Sequence, residues 1–181
     1  MKVKFLFLLL ILLSITACSE QKMDKEVTIA ILEGEEIKVK DILWQFSLEE
    51  NAEDIMKAYL KLEIVLLEAK EMGITVSEKE IEESKQVMNP GSNVSERYKQ
   101  SIDKEFYQSQ ASRLGISPEE YFAGWEDRIF RTQSYMNQYI DTLFGYPDDN
   151  ESIDEWGQNI DQYLEELFNR YIEDGRLLIK Y

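Results

Sequence analysis

The chain has 181 residues, 44% of them hydrophobic, which is enough for one domain with a real core and excludes a wholly disordered protein. Twenty Lys and Arg stand against 36 Asp and Glu, a formal charge of −16, so nucleic acid and anionic lipid surfaces are disfavoured as partners. There is no histidine and one cysteine, which removes Ser-His and Cys-His nucleophilic machinery, most zinc sites and any intramolecular disulfide.

Residues 1–17 read as a leader rather than as part of the fold. Lys2 and Lys4 precede the apolar run Phe5 to Leu13, which is too short to cross a bilayer, a task that takes about 20 residues. Small residues then lead to the sole cysteine in Ile15-Thr16-Ala17-Cys18. That segment resembles a bacterial lipobox, which implies cleavage before Cys18 and a diacylglycerol on its thiol. Each buried methylene contributes about 0.8 kcal/mol, so two or three acyl chains anchor firmly. The expected product is an extracytoplasmic membrane lipoprotein, two charges more negative once Lys2 and Lys4 are lost. Residues 18–26 form a polar tether with Lys22 and Lys25. The sequons at Asn93 and Asn150 are then chance matches.

The folded domain is expected over residues 27–181. Val27 to Leu32 and Ile37 to Val39 flank the turn Glu33-Gly34-Glu35-Glu36 and read as strands, as does the terminal Arg176 to Tyr181. Short strands need partners and an apolar bed, so the two ends of the domain should pair in a small sheet. All between them reads as helix and turn, giving a mostly α fold closed by that sheet.

Asp41 is placed to cap a short helix through Ser47. Asn51 is placed to cap a longer one ending at Gly73, with Ile55, Tyr59, Leu62, Leu66 and Ala69 as its stripe and Met56, Leu60, Ile64 and Leu67 widening it. Ser77 with Glu80 forms a capping box, and Met88 to Asn93 is a break. A helix is predicted over Ser95 to Leu114 with Tyr98, Ile102 and Phe106 on one side. Ser117-Pro118-Glu119-Glu120 opens a long helix to Phe144, and Gly145 to Glu151 breaks the chain again. Ser152 with Glu155 caps a last helix, which Asp174-Gly175 closes.

Four segments together resemble the N-terminal domain of SurA-type chaperones. They are Leu32 to Ile42, Glu68 to Ile81, the joint Leu114-Gly115-Ile116-Ser117-Pro118-Glu119-Glu120-Tyr121-Phe122, and the closing Arg176 to Tyr181. The resemblance implies an extracytoplasmic chaperone akin to the PrsA-type lipoproteins of Gram-positive bacteria, which carry parvulin-type prolyl isomerase modules. Only Gly145 to Glu151 stand where such a module could be inserted, and the histidines of the parvulin site are missing. Prolyl isomerase activity is therefore not expected, nor any other enzymatic activity, cofactor or metal.

The acidic run Asp148-Asp149-Asn150-Glu151 fails the calcium-loop pattern, with Ile153 where glycine is needed and Asn159 where glutamate is needed. Leu62, Leu66, Ile129 and Ile160 are expected to fill the core. Tyr98, Phe106, Tyr107, Tyr121, Phe122 and Trp125, in the less regular middle, are the candidates for exposed contact with clients. The expected partners are unfolded or partly folded exported polypeptides. The alternative is an adaptor lipoprotein that recognises one specific folded protein.

Overall fold

A computed structural model describes residues 23–147 and 152–181; the leader, Cys18 and the acidic run 148–151 lie outside the described residues. Seven helices and a three-stranded antiparallel sheet make up the described chain. The strands are β1 (Thr28–Leu32), β2 (Glu35–Lys38) and β3 (Leu177–Ile179). The helices are α1 (Val39–Ile42), α2 (Ala52–Glu71), α3 (Glu78–Met88), α4 (Val94–Gln100), α5 (Lys104–Leu114), α6 (Pro118–Phe144) and α7 (Ile153–Glu173).

The two ends of the domain pair as the sequence predicts, with β1 between β2 and β3. Ala30, Ile31 and Leu32 face Ile179, Leu178 and Leu177 across the β1–β3 ladder. The turn from β1 to β2 is tighter than expected: Glu33 and Gly34 alone take positive φ, at 52° and 86°, and Glu35 already belongs to β2. Both central residues at positive φ is the hairpin geometry that matches strand twist. A bulge between Thr28 and Ala30 breaks the strict alternation, so the adjacent Ile29 and Ala30 are both buried.

The sheet lies on α2 and α7. Ile29, Leu60, Ile64, Phe168, Tyr171 and Leu177 meet in this main core. The stripe of α2 is rotated from the expected one. Met56, Leu60, Ile64 and Val65 join Tyr59 and Ala69 as its buried residues, while Leu62 and Leu66 are half-buried.

Three local expectations are corrected. The first helix starts at Val39, not Asp41, and Asp41 sits in its first turn, accepting a hydrogen bond from Lys38 N at 2.8 Å. Asn51 precedes α2 in a left-handed conformation, φ 50°, and makes no side-chain capping bond. The predicted helix over Ser95 to Leu114 is two helices, α4 and α5, parted at residues 101–103. The Ser101 hydroxyl accepts a hydrogen bond from Asp103 N at 3.3 Å, the local competition with helix that serine offers.

The serine caps behave as their spacing predicts. Ser77, Ser117 and Ser152 accept from the backbone N–H of Glu80, Glu120 and Glu155, and two of the three complete a capping box. No described helix is long and apolar enough to cross a membrane.

Candidate functional site

The six predicted contact residues do come together, but as packing. Tyr107, Tyr121 and Phe122 are buried, and Tyr98, Phe106 and Trp125 are half-buried against them. Tyr107 sits at the centre, its ring 5.1 Å from Phe122 and 5.0 Å from Trp125. The Tyr121 hydroxyl donates to Leu43 O at 2.8 Å, and its ring stacks on Trp44 at 5.5 Å. This is a second core that fastens α4 and α5 to the first half of α6. Exposed client contact through Tyr107, Tyr121 and Phe122 is thereby corrected: aromatic side chains from three helices enclose these central rings and leave only their flanking partners in part open to solvent.

The open surface lies alongside this core. Three hollows follow one face of α6 from Trp125 to Gly145. The first, about 390 Å³, is lined by Tyr107, Trp125, Ile129, Ile102 and Met88. The second, about 440 Å³, lies between α3 and α6 and shares Met88, Phe130 and Gln133 with the first. The third, about 480 Å³, reaches α7 through Trp156 and Ile160 and shares Asn137 with the second. At 1.5 Å per helical residue, Trp125 to Asp141 covers about 24 Å, room for about seven residues of extended chain.

The groove exists because short side chains, Ser84 on α3 and Ser134 on α6, face the gap and leave it unfilled. Four of its apolar residues stand largely in water: Val87 is 80% exposed, Met88 69%, Ile102 93% and Tyr146 85%. Scattered exposed apolar residues are ordinary, whereas several bordering one groove mark a contact surface. Every charged residue lining the three hollows is acidic, namely Glu80, Glu83, Asp103 and Asp141. In the third hollow the indole N–H of Trp156 is shielded from water and has no acceptor among the described residues.

Of the predicted contact set, only Tyr107 and Trp125 border the groove. Ile129 and Ile160, expected in the core, are half-buried on its walls. Val87, Met88, Ile102 and Tyr146 went unrecognised. One signal was present: each abuts a break, and α3 buries only Ile81, so Val87 and Met88 belong to no sizeable core stripe.

Among the described residues, no group of three or more His, Cys, Asp or Glu converges as a metal site would require. No protein-family model, curated protein or solved structure matches the chain. The likeness to SurA-type domains therefore stands on the quoted segments alone.

Proposed function

We infer that the protein binds unfolded or partly folded exported polypeptides without catalysis, holding apolar segments flanked by Lys or Arg in the groove along α6. The observation that carries this is the alignment of Val87, Met88, Ile102 and Tyr146 along one acid-rimmed groove. Met and open aliphatic side chains adapt to varied partners. The acidic rim disfavours anionic segments and makes capture of cationic ones weaken with salt. Anchoring through a lipid on Cys18, as the lipobox resemblance implies, would hold this groove at the outer membrane face. Cys18→Ser should then release the chain from the membrane fraction.

The test is suppression of aggregation of an unrelated, basic, unfolded substrate, with the unaltered chain compared with a Val87→Ser, Met88→Ser, Ile102→Ser variant. The three side chains are exposed, so helix content and unfolding midpoint should hold while suppression is lost. Equal suppression by the variant would overturn the groove assignment. No suppression by either chain, with capture of one folded partner, would favour the adaptor reading instead.

A further inference from the structure

On the opposite face of α6, by helical spacing, lies a smaller hollow of about 240 Å³, independent of the groove. Gln45 after α1, Tyr59, Glu63, Leu66 and Lys70 of α2, and Arg128, Arg131, Thr132 and Tyr135 of α6 surround it. Two features set it apart.

The first is charge. In a chain of net −16, this hollow gathers three cations against one carboxylate, Glu63. Arg131 is already committed, to Glu78 at 2.9 and 3.0 Å and to Asp127 at 3.3 Å. Arg128 and Lys70 are not: neither forms an ion pair among the described residues. Arg128 instead lies over the Trp44 ring at 4.1 Å with Nη1 donating to Gly124 O at 3.1 Å, and Lys70 lies over the Tyr135 ring at 5.9 Å.

The second is an orphan acceptor. Gln45 is 8% exposed, and its Oε1 is shielded from water without a donor. A buried carbonyl left unpaired keeps its full desolvation penalty, so such a group points to a missing partner. The walls beside it, Leu66 and the Tyr59 and Tyr135 rings, are apolar.

We propose that this hollow binds an α-carboxylate together with its neighbouring N–H and an apolar side chain. The carboxylate meets Arg128 and Lys70, the N–H donates to Gln45 Oε1 once that carboxamide turns from its shielded position toward the hollow, and the side chain lies against Leu66 and the two tyrosine rings. A polypeptide C-terminus and a free amino acid both carry this chemistry. They differ at the nitrogen, which is a neutral amide in one and an ammonium facing Glu63 in the other.

Calorimetric titration of the full chain in detergent with N-acetyl-L-leucine, free L-leucine and N-acetyl-L-leucinamide tests this. Both carboxylates should bind at least about tenfold more tightly than the amide, the loss expected for one charge-assisted contact. Tighter binding of the acetylated form marks the site as one for chain ends; tighter binding of free leucine, lost on Glu63→Gln, marks it as one for amino acids. Lys70→Gln, at an exposed position, should weaken both carboxylates about tenfold while leaving the unfolding midpoint in place. Arg128→Gln should do the same to binding. Failure of both carboxylates to bind, equal binding of the amide, or indifference to Lys70→Gln would overturn the proposal. None of these outcomes bears on the groove, since aggregation suppression reads the other face of α6.

Discussion

The Arg97 guanidinium grips the Glu126 carboxylate with three hydrogen bonds, Nε to Oε1 at 2.9 Å and to Oε2 at 3.1 Å and Nη2 to Oε2 at 2.8 Å, both side chains being almost wholly removed from water. Nη1 reaches Glu82 of α3 at 3.4 Å, so one side chain ties α3, α4 and α6 together. The Glu126 carboxylate beside it holds the Arg97 guanidinium above its usual range. Removing one partner strands a buried charge, whereas replacing both by apolar groups leaves none. Glu126→Ala should therefore cost about 3–5 kcal/mol, while Arg97→Met with Glu126→Leu should recover most of that. Urea midpoints for the two variants decide it, and an equally unstable double variant would contradict the account.

Two glycines inside helices should respond with opposite sign to alanine. A Cβ on Gly124 of α6 would lie 2.5 Å from Trp44 Cζ3 and 3.1 Å from Arg128 Nη1. Trp44 has little room to retreat, because Tyr121 stacks on it at 5.5 Å with the planes 2° apart. Gly124→Ala should thus destabilise by about 1–3 kcal/mol despite alanine's better helix propensity. A Cβ on Gly157 of α7 meets nothing within 4 Å, so Gly157→Ala should stabilise by about 0.5–1 kcal/mol. Thermal melts of the pair give the signs directly.

The closing strand offers a test of the terminal pairing. Leu177 is buried in the main core while its neighbour Leu178 is about half exposed, the alternation of a strand with one wet face. Leu177→Ala should cost about 2–5 kcal/mol. Leu178→Ala should stay within about 0.5 kcal/mol. Arg176, just before β3, supports the same closure through Glu33, through Glu71 at 3.0 Å and by lying over the Tyr171 ring at 4.1 Å.

What was legible in the sequence was local chemistry. Ser77, Ser117 and Ser152 announced their helices because a capping bond spans only three residues, and β1 and β3 announced themselves by composition. Long-range geometry was not. Tyr98, Ile102 and Phe106 share a helical spacing, yet Ser101 and Asp103 break the helix there and leave Ile102 in solvent. The six aromatics were rightly grouped, but whether a ring faces a neighbour or water depends on how α4, α5 and α6 lean together. The groove depends on Ser84 and Ser134 lining one hollow from two helices, and Arg97 meets Glu126 across 29 positions of chain. Neither pairing leaves a periodic trace.

The same distinction reassigns what substitution of the predicted contact residues would do. Tyr121→Ala and Phe122→Ala, side chains with no exposed surface, should each cost about 3–5 kcal/mol and lose tertiary structure before any loss of binding could be read. Near-ultraviolet dichroism shows this, and an intact spectrum with selective loss of client binding would restore Tyr121 and Phe122 as contact residues.

Glu63 supplies the pH dependence. Burial pushes its carboxyl above the usual range and Asp41 adds to this, while the Tyr59 hydroxyl and Lys70 act against it. A native state that keeps this proton longer than the unfolded chain binds more protons between the two pKa values. The stabilising contribution is therefore complete below the ordinary glutamate range and is lost as pH rises through the raised folded value. Glu63→Gln removes the titration while keeping the shape. Its stability relative to the unaltered chain should rise from the acid side of the carboxylate range to neutral pH, measured by urea unfolding at both. A relative stability that falls over the same interval would mean that Lys70 outweighs burial and holds Glu63 charged, with the pKa shift reversed.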